Sequence, residues 1–238
     1  MMRLPYSGTI DSDSQYHLDF MIIQLKNVVD AGTLEAVRDS IKEEDFLSGT
    51  HSAGRAAREV KNNQQIRYKD SQHSAIKLLL SALQRHPVVA QAAQPKVIIN
   101  PMLNRYTPGQ AYGWHTDDAI MDGQRTDISF TLGLTPLDDY EGGELVLQDH
   151  SGDRAWRLGA GELLLYPSHY LHQVTEVTQG QRLALVGWMQ SRLRESWQRE
   201  ICFDLALAGR TEYDQNGKSA QFDRLSNALQ NLLRHWVD

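Results

Sequence analysis

Across residues 96–190 the apolar positions stop recurring at helical spacing and alternate instead. That switch constrains the fold most strongly, because a helix-period segment and a strand-period segment bury different faces. The alternating stretch divides into KVII (96–99), MLNRY (102–106), TDISFTLGL (126–134), ELVLQ (144–148), AWRL (155–158), ELLLY (162–166), QVTEV (173–177) and RLALVGWM (182–189). Turn-forming residues separate the segments: TPG at 107–109, DDYEGG at 138–143, GAG at 159–161 and QG at 179–180. Eight short strands so spaced predict an antiparallel barrel or jelly roll.

Helical spacing flanks this stretch, so the chain reads as mainly β with flanking α. Leu34, Val37 and Ile41 share a face, with Asp30 or Thr33 as the cap, and Ile76, Leu79, Leu80 and Leu83 form a second stripe that Pro87 closes. Between them the polar run KNNQQ (61–65) reads as a solvated loop, a substrate-contacting role being the alternative. After residue 191 a third stripe runs through Phe222, Leu225, Leu229, Leu232, Leu233 and Trp236. It packs on the rest of the chain or forms a homodimer contact. The expected plan is an N-terminal extension over 1–20, a helical region over 21–95, a β core over 96–191 and a C-terminal helical region over 192–238.

Composition excludes several classes. Cys202 is the only cysteine, which rules out an internal disulfide or a cysteine-built metal cluster and suits a reducing compartment; its apolar neighbours Ile201 and Phe203 predict an inert buried thiol. The first twenty residues lack the basic start and apolar stretch of a signal peptide, and no apolar run nears the ~20 residues that span a bilayer, so a cytoplasmic protein is expected. A formal charge of −6 leans against a nucleic-acid partner.

Chemistry concentrates around Trp114-His115-Thr116-Asp117, which follows an aromatic, glycine-containing turn at 106–113. On extended backbone, residues i and i+2 face the same way, so His115 and Asp117 can offer a nitrogen and an oxygen to one metal. His172, 57 positions beyond His115, is the third ligand expected from a returning strand. His169 is its rival; His172 is preferred for its spacing to Arg182 and for the apolar Leu171 and Val174 around it. Two histidines and a carboxylate leave open positions, the arrangement of non-haem Fe(II) oxygenases. Arg182 opens a strand on which Arg182, Ala184, Val186 and Trp188 share a face; the small Ala184 leaves room for a carboxylate to meet the guanidinium. Asp118 faces away from Asp117, which argues against a paired-carboxylate site. The other histidines (17, 51, 73, 86, 150 and 235) read as surface or capping residues.

The segments KNNQQ (61–65), NRYTPGQAYGWHTDDAIM (104–121), RTDISFTL (125–132), DDYEGGELVLQD (138–149), GAGELLLYPSHYLHQVTEVTQGQRLALVGWMQS (159–191) and LLRHW (232–236) resemble the bacterial PKHD-type hydroxylases, named for similarity to prolyl and lysyl hydroxylase catalytic domains. The resemblance runs from about residue 21 onward. It implies a double-stranded β-helix, Fe(II), 2-oxoglutarate and L-ascorbate as reductant. The implied reaction couples decarboxylation of 2-oxoglutarate, giving succinate and CO2, to hydroxylation of a substrate. The implied metal ligands are His115, Asp117 and His172; Arg182 holds the co-substrate carboxylate. Related hydroxylases add a tyrosine ahead of the HxD, a position matched by Tyr106, for which a plain core role is the alternative. The family is also associated with iron homeostasis. The chain departs from the pattern over its first twenty residues, and His169 stands where the family more often has a small residue.

Rival readings are a zinc hydrolase, in which Arg182 has no task, a metal- and 2-oxoglutarate-sensing jelly roll without turnover, and a nucleic-acid demethylase. The substrate, a peptide side chain or a small molecule such as an iron chelator, is not written in the sequence. Its specificity is expected in the segments 48–67 and 119–125, because rim loops carry specificity.

Overall fold

The computed structural model describes residues 22–52 and 54–237; the extension expected over 1–20 lies outside them. The chain begins with β1 (Ile23–Leu25), α1 (Ala31–Ser40), β2 (Leu47–Ser48), α2 (Arg55–Glu59), β3 (Lys61–Asn62) and β4 (Gln64–Arg67). Three helices follow: α3 (Tyr68–Ser71), α4 (Ser74–Arg85) and α5 (Pro87–Ala92). Asp30 caps α1 by accepting from the Thr33 amide at 2.9 Å, and His73 caps α4 by accepting from the Ala75 amide. Pro87 stops α4 and opens α5, where its missing amide is not needed. The region expected to be helical thus also holds four strands, and Ile41 falls just past the end of α1.

The β core contains β5 (Pro95–Tyr106), β6 (Ala111–His115), β7 (Ile120–Met121), β8 (Gln124–Arg125), β9 (Ile128–Gly133), β10 (Tyr140–Gly142), β11 (Leu145–Asp149) and β12 (Gly152–Trp156). It continues with β13 (Leu163–Pro167), β14 (Leu171–Val174), β15 (Val177–Gly180) and β16 (Arg182–Ser191). A larger sheet has the order β1-β13-β9-β16-β5-β4-β2, a smaller one β12-β11-β14-β6-β3, and β10-β15 and β7-β8 form two-stranded ribbons. The pairings are antiparallel, as a jelly roll requires.

Four expectations are corrected here. KVII and MLNRY are one strand, β5, carried through Asn100 in a left-handed conformation (φ 44°) and Pro101. Opposite them the register with β16 shifts between Val186 and Trp188: Asn100 and Pro101 of β5 face the single Gly187, so the bulge lies in β5. A Cβ at Gly187 would sit 2.7 Å from Phe130 Cζ, so only glycine fits. The segment 173–177 splits between β14 and β15, and the turn expected over 106–113 ends early enough for β6 to begin at Ala111. The KNNQQ run is no solvated loop: it forms β3, the edge of the smaller sheet, and the start of β4, which lies between β5 and β2 in the larger one, with Lys61, Asn63 and Gln65 buried.

Alternation sorts the larger sheet. Outward, Ile128, Phe130, Leu132, Leu163, Leu165 and Leu185 meet Val37, Ile76, Leu79 and Leu83 of α1 and α4. Each such fully buried side chain stabilises the fold by about 1.5–3 kcal/mol. Inward, Tyr106, Leu164 and Tyr166 join Leu145, Leu147 and Val174 of the smaller sheet, while Ser129, Thr131 and Asn104 supply polar groups toward the interior. The helices therefore cover one face of a rigid sheet whose other face carries the site.

The chain ends in α6 (Ser196–Asn216) and α7 (Ala220–Trp236), which pack on each other; none of α7 is fully buried. Cys202 is buried on α6, as expected. Among the described residues no helix is long and apolar enough to cross a membrane.

Candidate metal centre

His115 is the last residue of β6 and pairs directly with His172 on β14, their ring centroids 4.2 Å apart. Asp117 follows two residues after the strand ends. One ligand atom from each of the three lies within 4.8 Å of the others. Each histidine has its Nδ1 against a backbone carbonyl: His115 against Gly113 at 2.8 Å and His172 against Tyr170 at 3.0 Å. A carbonyl can only accept, so Nδ1 carries the proton and Nε2 keeps its lone pair for a metal. Ser129 donates to Asp117 Oδ2 at 2.6 Å, while Oδ1 faces His172 Nε2 at 3.8 Å. Burial, together with His172 alongside, lowers His115 to about 3, so the imidazole is neutral at physiological pH. Two imidazoles and a carboxylate, pre-oriented by outer partners, fit a divalent metal.

Arg182 starts β16 opposite Tyr106 and is 4% exposed. Among the described residues its guanidinium has no carboxylate partner and no hydrogen bond; it lies 5.4 Å from the Tyr106 ring centroid. A buried guanidinium without an acceptor is costly, and this one lines the same cavity as the three metal-ligand candidates, about 590 Å³ in volume. Tyr106 is also buried there, its hydroxyl pushed up to about 12 by burial against the opposing field of Arg182. Asn104 Oδ1 is buried without a partner on the same wall. The Arg182 guanidinium and the Tyr106 hydroxyl, both donors, fit the carboxylate of a small dicarboxylate.

The rival candidate His169 is exposed, its ring 4.7 Å from Tyr170, and lies outside the cluster of His115, Asp117 and His172. Asp118 is exposed at the mouth of the cavity that Asp117 also lines, and both lie beyond the end of β6.

Three residues at this site carry no role in the sequence, and a fourth, Lys61, carries one only through the substrate-contacting alternative for KNNQQ. Tyr112 stacks on His115 with centroids 3.6 Å apart, and Tyr166 meets the edge of His172. Ser129 holds Asp117. Lys61, on β3 beside Tyr112, is buried in the cavity wall, with its ammonium lowered to about 8 by burial and partly restored by Asp117. A signal for Lys61 exists in retrospect: Lys61, Asn63 and Gln65 alternate, a strand pattern with polar residues turned inward. Both segments expected to govern specificity border the cavity, through Ser52 and Val60 on one side and Met121 on the other.

A family model described as the 2OG-Fe(II) oxygenase superfamily matches residues 101–190. A PKHD-type hydroxylase of Idiomarina loihiensis is 49% identical over 92% of this chain and 100% of its own length. Among solved structures, a Pseudomonas putida prolyl-4-hydroxylase is 20% identical, with a TM-score of 0.56 over 72% of this chain and 92% of that one. HygX of Streptomyces hygroscopicus, solved with nickel and 2-oxoglutarate bound, is 12% identical, with a TM-score of 0.55 over 73% of this chain and 84% of that one. The structural likenesses establish the fold, and the long sequence match establishes kinship.

Proposed function

Since the chain belongs to the PKHD-type hydroxylases of the 2OG-Fe(II) oxygenase superfamily, we propose that His115, Asp117 and His172 hold its iron and that Arg182 and Tyr106 seat its 2-oxoglutarate. The protein is an Fe(II)- and 2-oxoglutarate-dependent dioxygenase, with O2 as the second co-substrate. The observation that carries the residue assignment is the buried guanidinium of Arg182, without an acceptor, in one cavity with three convergent metal-ligand candidates.

Bound together, iron and 2-oxoglutarate supply the activation of O2, coupling decarboxylation of the oxo acid to insertion of an oxygen atom into a substrate C–H bond. The chain supplies placement. The carbonyls of Gly113 and Tyr170 fix the tautomer and plane of the two imidazoles. Ser129 holds Oδ2 of Asp117 and leaves Oδ1 toward the centre. Arg182 offers a planar fork for the distal carboxylate of 2-oxoglutarate, with the Tyr106 hydroxyl as a further donor. Leu145, Val174 and Val186 give the cavity apolar wall that keeps water from the reacting atoms. The hydroxylated partner is a peptide side chain or a small molecule meeting the cavity from the side of Ser52, Val60 and Met121.

Anaerobic titration of metal-free protein with Fe(II) and then 2-oxoglutarate tests the assignment. A weak visible charge-transfer band should form in wild type and be lost in Arg182→Ala at a concentration that saturates wild type. Iron binding without a band in wild type would leave a metal site without the co-substrate and would favour the sensing module.

A further inference from the structure

Lys61 is 8% exposed, and its Nζ donates to Ser52 Oγ at 2.9 Å and to Gln65 Oε1 at 3.4 Å. It also lies 4.8 Å from the centroid of Tyr112. All three neighbours are neutral, and among the described residues no carboxylate forms an ion pair with it. The carboxylate whose field acts on it is Asp117, a group the metal would claim. Ser52 and Gln65 do not need the lysine, since Ser52 Oγ donates to Gln65 Oε1 at 2.9 Å. The fold therefore maintains a buried ammonium that its neighbours do not require, and burying an unpaired charge is costly.

The charges of the loaded cavity sharpen the point. A divalent metal with Asp117 leaves one positive charge, and Arg182 and Lys61 add two. Dianionic 2-oxoglutarate removes two, so one positive charge remains. The other charged side chains on the cavity wall, Arg55 and Asp118, are exposed at its mouth, of opposite sign, and screened by solvent. We propose that the hydroxylated substrate is an anion and that Lys61 binds its carboxylate or phosphate oxygens inside the cavity. This rests on the ligand and co-substrate assignment above. Lys61 belongs to the substrate side rather than to 2-oxoglutarate. It stands on β3, at the edge of the smaller sheet, next to the segment expected to set specificity, whereas Arg182 lies in the larger sheet. An ammonium is a compact point charge, so it accepts either anion without the planar matching that a guanidinium imposes. The cavity continues past Ser52, Met121 and Trp188 into a second one of about 290 Å³, which leaves room for a substrate larger than its anionic anchor.

The test uses full-length protein loaded with Zn(II) and saturating 2-oxoglutarate, titrated by NMR with N-acetylglycine, methyl phosphate and the uncharged N-acetylglycinamide. Wild type should bind at least one anion roughly tenfold more tightly than the amide, as expected for a hydrogen bond to a charged group. Lys61→Met should lose that preference and Lys61→Arg should retain it. The better-bound anion identifies the substrate as carboxylate or phosphate. Anions and amide bound alike, no probe bound, or a preference that survives Lys61→Met would overturn the proposal. The charge-transfer band of the Fe(II)-loaded samples separates the two levels: its absence in wild type defeats the Arg182 assignment, whereas its presence with unselective probes defeats only the role of Lys61.

Discussion

Ser129 and Asp117 are joined by a 2.6 Å hydrogen bond from the serine hydroxyl to Oδ2, which reserves Oδ1 for the space shared with His172. Ser129 Oγ also lies 2.9 Å from Ser168 Oγ, a second polar partner for the same hydroxyl. Ser129→Ala should therefore weaken metal binding by roughly 10–100-fold while leaving the fold intact. Chelator competition measures this directly, and unchanged affinity would show that Asp117 needs no such support.

Gly143 adjoins the Arg182 side chain. A Cβ there would lie 2.8 Å from Arg182 Cδ, and the backbone is left-handed at φ 65°. Gly143→Ala should displace the guanidinium and weaken 2-oxoglutarate binding by roughly tenfold, with much less effect on metal affinity. Titrating the charge-transfer band in the variant checks the direction; equal losses for metal and co-substrate would indicate general disruption.

Burial lowers the Lys61 ammonium from 10.5 to about 8. Between those values the unfolded chain holds a proton that the folded chain has released, so this group makes the unfolding free energy rise with pH. Below about 8 both states are protonated and the burial penalty is complete. The stability gain of Lys61→Met over wild type, both metal-free, should be greatest below pH 8 and shrink toward pH 10.5. Urea unfolding of the two proteins at several pH values supplies the comparison; a difference independent of pH would contradict a buried ammonium.

His169 stands three residues from His172 but on the exposed side of the turn. His169→Ala should leave metal affinity within about twofold of wild type, as for other surface substitutions. His172→Ala should abolish binding. Calorimetric metal titration of both variants would reveal any exchange of roles.

The sequence by itself determined what depends on local order along the chain. Alternation over 96–190 placed the β core, and the same alternation put Arg182 on the inner face of its strand with Val186 and Trp188. Helical spacing and caps located α1 and α4, because capping and amphipathicity act within a few residues. The i, i+2 relation of His115 and Asp117 made them candidate ligands together before any strand was paired. Tertiary structure decided what requires one strand to find another. Antiparallel register set His172, and not His169, opposite His115. Packing of the two sheets brought Ser129 against Asp117, across a separation of twelve residues that no periodicity encodes. The edge pairing of β3 with β6 turned a polar run that reads as solvent-exposed into a cavity wall and buried Lys61 within it. Polarity forecasts exposure only when no partner strand and no ligand compensate, and both kinds of compensation are non-local.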